Sequence, residues 1–330
     1  MVAFVPSRLA PWFVVHRQST YGTTNGRRGS PRRPGIEMKL LVLLNESAPS
    51  NAGAGSEQLR RRIADGFAAA QADADVRVIA PLELLSHVQE AADGRFDAVV
   101  AAGDETLLNQ VANAVAATGR KPLGVLPLGI RNHFARDLGM PLTLDEAIRS
   151  MASASPRDLF VGEVNGRIFL TLCAVGLEPE ALNRDGGKYN HATAMSVVLR
   201  SRSKHDMRLS TRGRTIVSGT PCMICSNSWA QLDAMGINAR EPEAGLLNIY
   251  VAHRPHSHSR LRRILQRLPG RSLPAPTHFH AMALAEMRLD NPRRRKVVVC
   301  LDGEMLRVRA PLHFRARSVP MRVLAPAAES

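Results

Sequence analysis

From Met38 to about Ser150 short apolar runs alternate with stretches of helical period, and this alternation restricts the possible folds more than any other feature of the chain. The runs are "KLLVLLN", "VRVIA", "DAVVAA" and "LGVLPL". Between and after them come helical patterns from about Ser56 to Ala70, then "PLELLSHVQEAA", "TLLNQVANAVAA" and "TLDEAIRSM". A strand followed by a crossover helix, repeated, predicts an α/β domain with a parallel sheet and helices on both faces. Ligands in such sheets bind beyond the carboxyl ends of the strands. The polar residues just after each apolar run are therefore the first candidates for a site.

After residue 155 the pattern changes to many short strands, among them "LFVGEVNG", "RIFLTLCAVG", "MRLSTRG", "GLLNIYVAH", "KVVVCLDGEMLRV" and "PMRVLAP". Only two stretches read as helical there, near His191–Arg202 and Ser257–Leu268. This predicts a β-rich, sandwich-like C-terminal domain. A chain of 330 residues exceeds the usual size of one hydrophobic core. The expected division is 38–155 for the α/β domain and 156–330 for the β-rich domain. Residues 1–37 are basic, with no sustained apolar period. They read as a disordered or targeting extension, or as sequence upstream of a start at Met38.

Lys and Arg number 44 against 29 Asp and Glu, a surplus that favours anionic partners. Nucleic acid is disfavoured, because aromatic residues make up only 4% and no basic run is interleaved with stacking rings. The segment 259–271 places Leu261, Ile264, Leu265 and Leu268 on one helical face, with Arg260, Arg263 and Arg267 on the others. It is either a surface helix packing its Leu stripe on the sheet or a helix lying on an anionic bilayer. The "RRRK" run at Arg293–Lys296 would add to attraction for acidic lipid. The four cysteines lie in apolar segments without a secretory signal, which suits a reducing compartment. Expected localisation is cytoplasmic, with peripheral membrane contact possible. The Cys222/Cys225 pair and the His253, His256, His258 cluster lack the partners of a metal site and read as a buried strand and a basic loop.

Two strand ends carry the chemistry. "VVAAGDET" ends a strand at Gly103 and starts a helix near Glu105, where free N–H groups and the helix dipole suit an anion. An ordinary turn with Asp104 as helix cap fits the same residues. "LPLGIRNHFARDLGMP" follows the next strand and brings Gly129, Asn132 and Arg136 to the same edge. Further on, "LDGE" at 301–304 is by spacing alone a β-turn between two strands.

Together these segments resemble the diacylglycerol kinase catalytic family, the lipid kinases that include sphingosine and ceramide kinases and bacterial lipid kinases. The family's nucleotide loop, GGDGT, corresponds to "AGDET", and its PLGTxNxFAxxLG loop to "PLGIRNHFARDLG". Residues 299–326 are similar to the family's closing DGE segment, and 224–252 to its Asn-rich strand and DDGxL element. The resemblance implies ATP bound in an interdomain cleft with Mg²⁺, and phosphoryl transfer to the hydroxyl of a diacylglycerol-like lipid. Gly103, Asp104, Glu105 and Thr106 would then lie along the phosphates, Gly129 and Asn132 along the second wall, and Asn45 at the end of the first strand. Glu304 takes the place of the general base, with Asp104 and Asp302 in support. Asp302 and Glu243 are the positions that could meet the metal.

The departures are Glu105 where the loop has glycine, Ile130 where it has threonine, and "EPEAG", with Ala244, in place of the acidic DDG element. Glycine takes φ > 0 without penalty and glutamate does not, so Glu105 is expected to burden the loop. A non-catalytic lipid- or nucleotide-binding member of the same fold is the alternative. An NAD kinase, whose loop also reads GGDGT, fits "PLGIRNHFARDLG" and "LDGE" less well. The acceptor lipid and the oligomeric state are not legible in the chain.

Overall fold

Strand β1 (Leu40–Asn45) is apolar on both faces, and Leu40 to Leu44 are all fully buried. That is the signature of a central strand in a sheet covered on both sides. Strands β2 (Ala74–Ile79) and β3 (Ala98–Gly103) flank it in parallel, with Val42 opposite both Val76 and Val100. β4 (Leu123–Pro127) extends the parallel sheet beyond β3. The crossovers run through α1 (Ser56–Ala69), α2 (Leu84–Glu90) and α3 (Glu105–Thr118), while α4 (His133–Asp137) and α5 (Leu144–Ala152) follow β4. α1 packs with α5 and α2 with α3, so each face of the sheet has its own helical pair. The computed structural model describes residues 38–45, 55–176, 205–211, 214–220, 222–234, 245–252, 279–291 and 295–326.

The chain then passes through β5 (Ser155–Leu159), β6 (Gly162–Val164), β7 (Arg167–Phe169), β8 (Leu172–Val175), β9 (His205–Thr211), β10 (Arg214–Thr220) and β11 (Met223–Ser226). α6 (Trp229–Ala234) follows, then β12 (Leu247–Ala252), β13 (Phe279–Leu284), β14 (Glu286–Asp290), β15 (Lys296–Leu301), β16 (Glu304–Arg309), β17 (Leu312–Ala316) and β18 (Met321–Ala325). Two antiparallel six-stranded sheets result, in the orders β10-β9-β14-β17-β6-β7 and β13-β12-β11-β8-β15-β16. They share one core, to which the first contributes Phe169, Leu289 and Phe314 and the second Cys173, Ile249 and Val299. This is the expected α/β domain followed by a β-rich sandwich.

Three details differ from the strand pattern read in the sequence. "LFVGEVNG" divides between β5, in the parallel sheet, and β6, in the sandwich. "RIFLTLCAVG" divides into β7 and β8, because the N–H groups of Leu170, Thr171 and Leu172 turn to the Asp302 carboxylate instead of a ladder partner. The closing strand β18, grouped with the sandwich by sequence, lies in the first sheet between β4 and β5. There Met321, Val323 and Leu324 fill the α/β core. The four cysteines are free and buried, and Cys225 stands opposite Cys173 on neighbouring strands. Burial pushes their thiols up, that of Cys300 to about 11, which keeps them protonated and inert. Among the described residues no helix is long and apolar enough to cross a membrane.

Candidate active site

The first loop forms where β3 runs into α3. Gly103 is closely approached by the first turn of α3: a Cβ there would stand 2.7 Å from Leu107 Cδ2 and 3.2 Å from Leu107 Cβ. Asp104 caps the helix, its carboxylate accepting the Leu107 N–H at 3.1 Å. Glu105 is the first helical residue, and no position from 103 to 106 has positive φ. The expected backbone penalty for a glutamate at this place is therefore not incurred. Thr106 is half-buried in the first turn, and Asn45 is half-buried at the end of β1, on the same edge of the sheet.

The second loop folds against the first. Leu128 N–H donates to Gly103 O at 3.2 Å, and Asn132, in the left-handed region at φ 51°, closes its own loop by donating Nδ2 to Gly129 O at 2.7 Å. A Cβ on Gly129 would lie 3.1 Å from Asp104 Cα and 3.3 Å from Glu105 Oε2, so the loops touch at this glycine. Glu105 spans them: its carboxylate accepts the His133 N–H at 3.4 Å. Burial pushes its pKa up, opposed by its own N–H, those of His133 and Asn132, and the charge of Arg131. The Glu105 carboxyl thus serves as the link between the loops. Ile130, where the family has threonine, points largely into solvent at 65% exposure. Below the second loop, Asp137 is buried and accepts the Ala230 N–H at 3.0 Å, tying α4 to α6 of the sandwich. Burial pushes its carboxyl up to about 7, against hydrogen bonds from Ser228 and Ala230.

The third component is the β15–β16 hairpin. Leu301 pairs with Glu304, leaving Asp302 and Gly303 as a two-residue turn with φ of 46° and 93°. Asp-Gly is the favoured composition when both turn residues need positive φ. The Asp302 side chain does more than shape the turn. Its Oδ2 accepts from Asn109 Nδ2 at 2.6 Å and Leu170 N at 2.7 Å. Its Oδ1 accepts from Thr171 N at 2.8 Å, Thr171 Oγ1 at 2.7 Å and Leu172 N at 3.0 Å. Glu304, next along the hairpin, is partly exposed, with Oε2 held by Arg167 Nη2 at 2.7 Å.

Asn109, Asn113 and Arg167 are the residues sequence reading missed. Asn109 and Asn113 lie at i+4 and i+8 from Glu105, on one face of α3. Asn109 Nδ2 also donates to Ile168 O at 3.0 Å, and Asn113 Oδ1 accepts the Ile168 N–H at 2.9 Å. Two asparagines at helical spacing among the apolar positions of α3 were the available signal, since their propensity argues against that place unless a partner needs them.

Asp302 does not fit a metal ligand, because both of its oxygens are committed to five donors. Among the described residues no cluster of His, Cys, Asp and Glu is suited to a metal ion. Glu243 and Ala244 lie outside the described residues, as do the His253–His258 cluster and the 259–271 segment.

A parallel α/β sheet carrying two abutting loops at its carboxyl edge, joined to an antiparallel sandwich that presents a carboxylate hairpin, defines the class. Residues 39–164 match the family described as "Diacylglycerol kinase catalytic domain", which bears out over that stretch the resemblance read from the motifs. The chain is similar to the "Diacylglycerol kinase" of Bacillus subtilis (strain 168), 37% identical over 90 residues, covering 27% of this chain and 30% of that protein. It is also similar to a "Probable lipid kinase YegS-like" of Pseudomonas aeruginosa, 38% identical over 90 residues, with coverage of 27% and 30%. The match thus spans under a third of the length of these relatives. In fold the chain is similar to a crystal structure described as a diacylglycerol kinase from Bacillus anthracis str. Sterne, with TM-score 0.65, 17% identity and coverage of 88% and 98%.

Proposed function

We propose that the chain is a lipid kinase that transfers the γ-phosphoryl group of ATP to the hydroxyl of a diacylglycerol-like lipid. Residues 38–155 serve the nucleotide and 156–330 the lipid, with β18 returning to brace the first sheet. The observation that carries this reading is the 2.6 Å hydrogen bond from Asn109 to Asp302. It ties the helix that begins in the nucleotide loop to the hairpin that bears Glu304, so donor and acceptor sites share one rigid element.

In the proposed reaction the lipid O–H gives its proton to Glu304 as its oxygen bonds to the γ-phosphorus, the bond from that phosphorus to the β–γ bridging oxygen breaks, and ADP leaves. Little covalent work falls to the protein in such a transfer, and positioning carries most of the catalysis. The nucleotide is taken as its Mg²⁺ salt, and Asp302 is kept for structure. Gly103, Thr106, Gly129 and Asn132 line the nucleotide's approach, and Glu304 is the base. Cytoplasmic placement and contact with an anionic bilayer belong to the same proposal.

The test is transfer of radiolabelled γ-phosphate from ATP–Mg²⁺ to diacylglycerol in mixed micelles, together with the thermal midpoint with and without nucleotide. Wild type should label lipid, and Glu304→Ala should lower kcat by ~10²–10⁴-fold while the nucleotide-induced shift is retained. A shift without labelling of any lipid hydroxyl would instead indicate a non-catalytic nucleotide binder.

A further inference from the structure

Resting on that reading, we propose that Asn109 and Arg167 are positioning residues that hold the Glu304 carboxylate in register with the nucleotide loop. The chain of contacts is continuous. Arg167 Nη2 donates to Glu304 Oε2 at 2.7 Å and approaches Asn109 Oδ1 at 3.5 Å, while Asn109 Nδ2 donates to Asp302 Oδ2 at 2.6 Å. Asn109 therefore meets the hairpin at both of its acidic residues, directly at Asp302 and through Arg167 at Glu304. It sits one turn along α3 from Glu105, the residue that spans the two loops. A shift of the loop thus reaches the base through a single helix face.

Stability alone accounts poorly for this arrangement. The Arg167–Glu304 pair is about one-third exposed on each side, and such pairs stabilise little. Asn109, in contrast, is 1% exposed in a helix whose other buried residues are apolar. An amide there is costly unless both its ends are used, and both are. The guanidinium engages Oε2 of Glu304, and among the described residues no other side chain donates to Oε1, which is left for the acceptor hydroxyl. Arg167 is itself placed by the β6–β7 hairpin, whose turn residue Asn165 donates Nδ2 to Arg309 O and Pro311 O, both at 3.2 Å. The turn that leads into Arg167 is therefore fixed to the far end of the strand that carries Glu304, while the guanidinium meets Glu304 at the near end.

The experiment compares wild type, Arg167→Met, Arg167→Lys and Asn109→Ala by steady-state kinetics with ATP–Mg²⁺ and diacylglycerol micelles, and by thermal midpoint without ligand. Misplacement of a reacting group by ~1 Å can cost ~10²-fold. Arg167→Met should lower kcat about 10- to 100-fold with the KM for ATP within about twofold of wild type and the midpoint nearly unchanged. Arg167→Lys should recover part of the loss. Asn109→Ala, assayed well below its midpoint, should lower kcat in the same way. Unchanged kcat in Arg167→Met, a loss confined to KM, or a loss that follows the folded fraction overturns the positioning role while the kinase reading stands. If wild type itself transfers no phosphate, the kinase reading falls and this role falls with it.

Discussion

Asp137 shows how one buried carboxyl sets a pH response. Its folded pKa of about 7 lies above the ordinary value of 3.8, so the folded state holds the proton more tightly than the unfolded chain. The stability this contributes is complete below about pH 4 and is lost as pH rises towards 7, at up to ~1.4 kcal/mol per pH unit. Wild type should therefore show a falling thermal midpoint between about pH 4 and 7 that levels off above it. In Asp137→Asn, which keeps an oxygen for the Ala230 N–H, that fall should be smaller; parallel curves for the two proteins would refute the assignment. Nothing in "FARDLG" marks Asp137 as buried, since its partner Ala230 lies 93 residues away on α6. Asp302 presents the same difficulty, because its donors come from α3 and from the β7–β8 junction.

At the scale of elements, α3 does most to define the site. Its start was readable from "GDET", and Asp104 caps it as one reading of that turn anticipated. Its polar face was not readable, because a periodic apolar helix hides which asparagines find buried partners. Replacing Asp104 by Ala removes the acceptor for the Leu107 N–H, and the expected loss is about 1 kcal/mol in urea unfolding. The same change should weaken the nucleotide-induced thermal shift, since the first turn frays beside the second loop. A variant with unaltered unfolding would mean that water satisfies the helix end equally well. Glu105 teaches the complementary lesson. Position 105 has no use for the backbone freedom of glycine, because the chain is helical from that residue on.

For the whole molecule the decisive feature is the return of β18 to the first sheet. Met321, Val323 and Leu324 are buried in the α/β core, each worth ~1.5–3 kcal/mol of burial. Their sum approaches the entire stability of a typical domain, ~5–15 kcal/mol. Truncation before Val319 should therefore abolish cooperative folding of the α/β part, followed by circular dichroism and size-exclusion chromatography. A truncated chain that melts within about 5 °C of the full chain would show that β5 closes the sheet alone. β18 pairs in parallel with β4 through Val323 and Leu123, and antiparallel with β5 from Met321 to Ala325. β18 thus fills the place between β4 and β5 and fastens the sandwich segment back to the α/β sheet.

Local periodicity by itself determined the α/β alternation, the change to short strands after residue 155 and the strand-end loops, because these follow from spacings of two and 3.6 residues along a single segment. The motifs "PLGIRNHFARDLG" and "LDGE" likewise named Gly129, Asn132 and Glu304 without a structure. Only the tertiary structure decided that Asp302 is spent on five hydrogen bonds, that Asn109 and Arg167 stand between it and Glu304, and that β18 belongs to the first sheet. These are pairings between residues as far apart in the chain as Asn109 and Asp302, or Leu123 and Val323. Contacts of that separation are chosen by which buried polar groups must satisfy one another once the cores have formed, and no local pattern in the sequence records that choice.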